Sequence, residues 1–415
     1  MVKVIPFPCV RPAEGMAETI AALPYDVYNR EEAKQVVSAN PQSFLAIDRA
    51  ETSFPDEVDT YDVCVYQKAS EMLQDWIQKG AFVEDEKPCY YVYELTMDGR
   101  TQRGIVGCSS IDDYEQSIIK KHENTRADKE LDRICHVDTC SAQTGPIFLA
   151  YRNNAQIRQA VEDAMKDQTA GALYDFVAED GVRHTAYRIA EEEHIFAIQK
   201  AFADMEATYI ADGHHRAASA VKVGQKRRAQ HPDYDGTEEF NYFLSVLFPD
   251  DELYIMDYNR VVKDLNGMDS AAFLQTMRDL FVVEGDGTKD CVHPAQKGQF
   301  SMYLDGNWYL CTMKPEDIPD DAVRGLDVSV LQEKLLAPVL GIADPKTDKR
   351  IDFVGGIRGL KELERRCQED CAVAFAMYPT SIQELFAVAD AGLLMPPKST
   401  WFEPKLRSGL FIHKI

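Results

Sequence analysis

The chain has no stretch reaching the roughly 18 apolar residues that a membrane-crossing helix requires. It also has no CxxC pair and no Cys–His spacing of the kind that holds zinc. The first absence excludes a helical membrane span. The second leaves the ten cysteines, scattered from Cys9 to Cys371, to be read as buried free thiols. The opening MVKVIPFPCV contains prolines and lacks the apolar core of a signal peptide, so a soluble, cytoplasmic protein is expected. Also missing are a G-x-x-x-x-G-K-[ST] loop, a kinase Gly-rich loop and the HRD and DFG motifs. These absences set aside the common nucleotide-binding folds. Positive charge is in short supply: 45 Lys and Arg stand against 69 Asp and Glu, a formal net charge of −24. Such a surface repels nucleic acid and anionic membrane, and there is no clear helix-turn-helix, so neither partner is expected.

What is present is an ordinary globular balance, 45% hydrophobic and 27% charged, over 415 residues, enough for two or three domains. Periodicity predicts a helix from about Tyr61 to Lys79 and a hairpin through YYVYEL, TMDGRTQ and RGIVGCSSI. A helical segment is expected from Tyr114 through KKHENTRADKELDR. Strands are expected at GPIFLAY, His184–Ile189, Glu206–Ile210, YFLSVLF and LYIMDYNRVV. Beyond Asn266, helices (Ala271–Phe281, Val328–Leu340) alternate with strands (FSMYL, WYLCTM, CAVAFAMY). This is a mixed α/β (α+β) pattern, with too many hairpins for a simple doubly wound sheet.

Three polar clusters stand out. In TYIADGHHRAASAVKV (208–223), Asp-Gly marks a tight turn between a buried strand and a close-packed helix. His214, His215 and Arg216 then fall in the first helical turn, where N–H groups and the dipole favour an anion. Asp212, Gly213, His214, His215 and Arg216 therefore read as a phosphate cradle, with Asp212 orienting an imidazole or holding Mg²⁺ on a bound polyphosphate. The competing reading has the histidines capping the strand and Arg216 bridging an acid. Joint chelation by His214 and His215 is disfavoured, because adjacent helical residues diverge by about 100°. The second cluster is His122-Glu123 with Thr125, Lys129, Asp132 and Arg133, where solvated helix charges are the alternative. The third is Lys398-Ser399-Thr400, followed by Lys405, Arg407 and Ser408, in a loop stiffened by Pro396, Pro397 and Pro404. Cations and hydroxyls on a stiff loop suit phosphate or carboxylate.

At these clusters the chain resembles a known family. ADGHHRAASA resembles the DGHHR box of the archaeal free serine kinases, which is similar in turn to boxes of ParB and sulfiredoxin. The wider set resembles the related family of unknown function called DUF1015. It comprises PYDV (24–27), NPQSFL (40–45), KHENT with DKELDR (121–133), DGHHR, YNRVV (258–262), LDVSVL (326–331) and MPPKSTWFEPKLRSGL (395–410). The resemblance implies a ParB/sulfiredoxin-like nucleotide-binding core at residues 100–262, after an N-terminal α/β region at 1–99. A C-terminal α/β region at 263–415 would carry a site-closing loop at 395–410. It implies phosphoryl transfer from a nucleotide with Mg²⁺ to the hydroxyl of free L-serine or a similar small metabolite. Glu123 is then the base, with His122 and Asp212 beside it. Gly213, His214, His215, Arg216, Lys398, Ser399 and Thr400 would hold phosphate, with Asp26, Lys129, Arg133 and Arg260 as secondary candidates. Sulfiredoxin chemistry is not implied, because His214 stands where that family has its reactive cysteine. The alternatives are a nucleotide hydrolase with water as acceptor and a non-catalytic nucleotide-sensing switch.

Overall fold

A computed structural model describes residues 1–167 and 171–415. The chain divides into two compact units, Met1–Leu253 together with Pro404–Ile415, and Tyr254–Glu403. The mixed α/β class expected from periodicity is what the structure contains.

The first unit is built on a nine-stranded sheet. Its order runs Ile119–Lys120, Thr208–Asp212, Ile147–Tyr151, Tyr242–Pro249, Arg100–Ser110, Tyr90–Met97, Arg183–Ile189, Tyr174–Val177, with Val4–Ile5 added against Arg100–Ser110. Most neighbours are antiparallel. The exceptions are Ile119–Lys120 beside Thr208–Asp212 and Ile147–Tyr151 beside Tyr242–Pro249, which run parallel. Ile147–Tyr151 and Tyr242–Pro249 are buried along their whole length, as their continuous apolar sequences require. One core gathers Leu149, Ile210, Phe243 and Leu247 from this sheet with Ala217, Ala220 and Val221 from the helix His214–Gln230. A second core packs Val10, Phe44, Leu45, Ile47 and Phe82 against the helix Val63–Gln78, which presents Val65, Ala69 and Leu73. That helix starts where Asp62 accepts a hydrogen bond from the Cys64 N–H at 2.9 Å. Ile412 joins the same core from a four-stranded sheet ordered Phe82–Glu84, Cys9–Pro12, Ile412–Lys414, Ala142–Gln143.

The second unit has a six-stranded antiparallel sheet. Its order is Val282–Val283, Asn307–Thr312, Gln299–Leu304, Val373–Met377, Tyr258–Val262, Ile351–Gly355. Trp308, Leu360, Leu363 and Ala374 pack together in its core. A separate ribbon pairs Tyr254–Met256 with Trp401–Glu403.

Three expected elements differ. The segment from Tyr114 is not one helix: a short helix Ile111–Glu115 and the strand Ile119–Lys120 come first, and the next helix is Ala127–Cys140. His122 and Glu123 thus lie on a loop, because parallel pairing with Thr208–Tyr209 overrides local helix propensity. LYIMDYNRVV splits at Asp257 into two strands that pair in different sheets. The helix expected at Val328–Leu340 is α only over Asp327–Leu331, then widens to a π turn in which the Ala337 N–H donates to the Gln332 carbonyl at 3.0 Å. All ten cysteines are free, and Cys9, Cys89, Cys108, Cys140, Cys311 and Cys371 are buried. No described helix is long and apolar enough to cross a membrane.

Gly224 sets how closely the helix His214–Gln230 approaches its neighbours. A Cβ there would lie 2.4 Å from the Phe240 carbonyl oxygen and 2.7 Å from Ile111 Cδ1. Ala is favoured over Gly in a helix interior by about 1 kcal/mol, but overpacking costs about 1–3 kcal/mol or more. A backbone carbonyl yields less readily than a side chain, so overpacking wins. Gly224→Ala is expected to lower the urea midpoint of the first unit; an unchanged or raised midpoint contradicts this packing.

Candidate functional site

The sheet register assembles the first two clusters. Ile119 pairs with Thr208 and Lys120 with Tyr209 in parallel, so both strands deliver their next residues to the same end of the sheet. One strand continues into His122-Glu123 and the other into Asp212-Gly213-His214. The register of Thr208–Asp212 slips between Ile210 and Asp212, and Gly213 then adopts φ 91°, a left-handed conformation suited to glycine. A Cβ on Gly213 would also sit 3.0 Å from Arg216 Nε. Glycine therefore permits both the turn and the folding back of Arg216. The helix His214–Gln230 begins directly, with no acidic residue in its first turn.

Asp212 is the hub of the charges here. Its Oδ1 accepts from the Gly213 N–H at 2.8 Å, and its Oδ2 lies 3.3 Å from Lys405 Nζ and 3.9 Å from Arg216 Nη2. Burial works to raise the Asp212 carboxyl, but Lys405, Arg216 and the Gly213 N–H outweigh it and hold it well below the usual carboxylate range. Arg216 is anchored by a 2.5 Å hydrogen bond from Nη1 to the Pro146 carbonyl. The histidines behave differently. Burial pushes His122 down to about 4, although its bond to the Ile210 backbone and the nearby Asp212 favour its cation. Burial, followed by the neighbouring His122, holds His214 well below the ordinary imidazole value. Both rings are neutral at pH 7. The cationic charge of the cradle therefore comes from Arg216 and Lys405, not from imidazolium.

His215 takes a structural position. Its Nε2 accepts from the Arg126 N–H at 2.9 Å, tying the loop carrying His122 and Glu123 to the helix. The helices Ala127–Cys140 and His214–Gln230 are further clamped by Ser219 Oγ donating to the Glu130 carbonyl at 3.0 Å and by the ion pair of Lys222 with Glu130. One donor atom each from His122, Glu123 and His214 lies within 4.8 Å of the other two. The structure thus brings together His122, Glu123, Asp212, Gly213, His214 and Arg216.

The remaining candidates make contacts of their own. Arg133 is buried, pairs with Asp132 at 2.9 Å and stacks 4.0 Å from the Tyr25 ring centroid. With Arg216, Asp48, His136, Thr144 and Ser408 it lines a cavity of about 30 Å³, room for a water or two. Lys129 donates to the Tyr61 hydroxyl at 3.2 Å, and Asp26 is exposed on the turn Tyr25–Val27. Lys398, Ser399, Thr400 and Arg260 belong to the second unit. There Arg260 Nη2 donates to the Lys398 carbonyl at 3.1 Å, and the Ser399 hydroxyl is buried and donates to the Pro396 carbonyl at 2.7 Å. From the same sequence cluster, Lys405 is the cation that meets Asp212. Its signal in the sequence was only that it is a cation, and 193 positions of separation hid its partner.

A family model described as a protein of unknown function (DUF1015) matches residues 4–329. The chain belongs to the DUF1015 family. No curated protein is significantly similar to this DUF1015 protein in sequence. Among solved structures it is similar to C-terminally truncated SbnI from Staphylococcus aureus, at 12% identity and TM-score 0.37 over 74% of this chain and 86% of that one. It is also similar to a mutant free serine kinase in complex with ADP, at 11% identity and TM-score 0.36 over 75% and 93% of the two chains. A conserved hypothetical protein from Pyrococcus furiosus gives 14% identity and TM-score 0.35 over 74% and 94%.

Proposed function

We propose that this DUF1015 protein is a small-molecule kinase. In this reading it transfers a phosphoryl group from a nucleotide, with Mg²⁺, to the hydroxyl of free L-serine or a similar metabolite. The observation that carries the reading is the placement of Glu123, a carboxylate within 4.8 Å of His214, at the start of the helix that follows the Asp212-Gly213 turn. A base thus stands beside an anion cradle supplied by a helix N-terminus, Arg216 and Lys405. Phosphoryl transfer needs reactants aligned and oxygens neutralised more than it needs covalent help. Arg216 and the first-turn N–H groups face negative charge, and Glu123 accepts the hydroxyl proton, typically a 10²–10⁴-fold contribution. The resemblance of DGHHR and His122-Glu123 to the free serine kinase motifs supports the same assignment.

Incubation with ATP, ADP or CTP and Mg²⁺, with and without serine, tests the proposal. Serine-dependent nucleotide consumption with O-phosphoserine formed is expected. Serine-independent consumption makes the protein a hydrolase, and binding without turnover makes it a sensor. Arg216→Ala is expected to weaken nucleotide binding by about 1.5–3 kcal/mol, the range for a hydrogen bond to a charged group. Glu123→Gln should leave binding near wild type and remove turnover. Calorimetry on both variants checks the division of roles, and equal losses of affinity contradict it.

A further inference from the structure

A buried imidazole nitrogen without a hydrogen-bond partner is costly unless another group takes its lone pair. Two such nitrogens stand side by side. His122 is 2% exposed with Nδ1 unpartnered, and His214 is 7% exposed with Nε2 unpartnered. Their rings meet edge to face, 4.5 Å between centroids. Glu123 completes the one group among the described residues in which three metal-competent atoms lie within 4.8 Å of one another.

We propose that His122, His214 and Glu123 bind a divalent first-row transition cation. Donor atoms around a tetrahedral ion sit about 3.4 Å apart when the bonds are about 2.1 Å. Small rotamer shifts of about an ångström would therefore close the set. The orientation of His122 already fits: with Nδ1 unpartnered, its other nitrogen makes the bond to the Ile210 backbone, the carbonyl-held geometry that steadies a ligating imidazole. Both rings present a buried nitrogen with no hydrogen-bond partner. Asp212 adds negative charge beside both rings, with Lys121 opposing it near His214. Two imidazoles and one carboxylate suit zinc, manganese, iron or cobalt, whereas Mg²⁺ takes oxygen ligands and keeps much of its water. Three protein ligands leave positions open for a substrate oxygen. This inference goes beyond the kinase reading and does not depend on it.

The test is Co²⁺ titration of the full chain after treatment with a chelator, read by visible absorption. One Co²⁺ per chain is expected, with ligand-field bands and without the near-ultraviolet thiolate-to-cobalt band that the cysteines would give. Zn²⁺ should displace it and raise Tm, while excess Mg²⁺ should not displace it. His122→Ala and His214→Ala should each weaken Co²⁺ binding by about tenfold or more. Glu123→Gln changes a half-buried loop residue and should do the same even where the histidine variants lose stability. Thiolate-ligated cobalt, binding unaltered by Glu123→Gln in a folded chain, or displacement by Mg²⁺ overturns the proposal. Cobalt binding without nucleotide turnover would leave the metal site standing and remove the kinase reading.

Discussion

A chain ending at Glu403 is expected to lose the folded first unit. Residues 404–415 supply Leu406, Leu410, Phe411 and Ile412, all at most 4% exposed. At about 1.5–3 kcal/mol for each buried apolar side chain, their loss removes about 6–12 kcal/mol, comparable with the whole stability of an ordinary domain. Phe411 lies 5.4 Å from the Tyr91 ring and 5.5 Å from Tyr93. Ile412–Lys414 is an inner strand, paired with Cys9–Pro12 on one side and Ala142–Gln143 on the other. Its removal leaves two strand edges unpaired. Near-ultraviolet circular dichroism should lose the first unit's share of its signal, and limited proteolysis should cut within residues 1–253 while sparing Tyr254–Glu403. The milder Phe411→Ala should keep the fold while lowering stability by about 3–5 kcal/mol. A truncated chain that melts cooperatively near the wild-type temperature would mean that this segment only decorates the unit.

Stability should also fall steeply as pH drops from about 6.5 towards 4. His184 is fully buried between Tyr93 and Phe176, and its Nε2 accepts from Arg407 Nε at 3.2 Å. Because Arg407 can only donate, His184 Nδ1 carries the proton and donates to the Tyr93 hydroxyl at 2.7 Å. Burial, reinforced by the Arg407 guanidinium, pushes His184 down to about 3. Burial, with Arg133 adding to it, pushes His136 down to about 4 against the pull of Asp48 and the Ile47 carbonyl. In the unfolded chain both titrate near 6.5. Between those values the unfolded state binds more protons, so each histidine removes about 1.4 kcal/mol of stability per pH unit as pH falls. The interval from pH 6.5 to 5 lies above most carboxylate titrations; within it Asp327, pushed up to about 6 by burial, works against the histidines, which act in larger number. Urea midpoints measured across it should decline, and the slope should lessen in His184→Gln. A level profile would contradict buried neutral imidazoles.

The strand–turn–helix of 208–223 was legible from sequence because each of its signals is local: an apolar run, Asp-Gly, then a small-residue helix. The hairpin at YYVYEL–RGIVGCSSI was legible for the same reason. The loop of His122 and Glu123 was not, since charged residues at helical spacing resemble an exposed helix and only pairing with Thr208–Tyr209 extends the chain. The split of LYIMDYNRVV was equally non-local, each half being claimed by a different sheet. At the site, residue types marked the anion cradle but not its electrostatics. His214 and His122 were read among the cradle and its base, and burial, which no motif records, keeps both rings neutral. The partnership of Asp212 with Lys405 required the whole topology, because a separate compact unit intervenes between them in sequence.

That topology has a consequence for how the protein is made. Translation delivers residues 1–253, then the whole of 254–403, before the strand Ile412–Lys414 exists. Until then the edges of Cys9–Pro12 and Ala142–Gln143 have no partner between them, and Asp212 waits for Lys405. The first unit therefore cannot finish folding on the ribosome in the order its residues emerge, while Tyr254–Glu403 can complete its own sheet during synthesis. Nascent chains extended by a linker and arrested so that residue 403 but not residues 404–415 has cleared the exit tunnel should show a protease-resistant second unit and a sensitive first one, with resistance of the first appearing only once residue 414 has cleared it too.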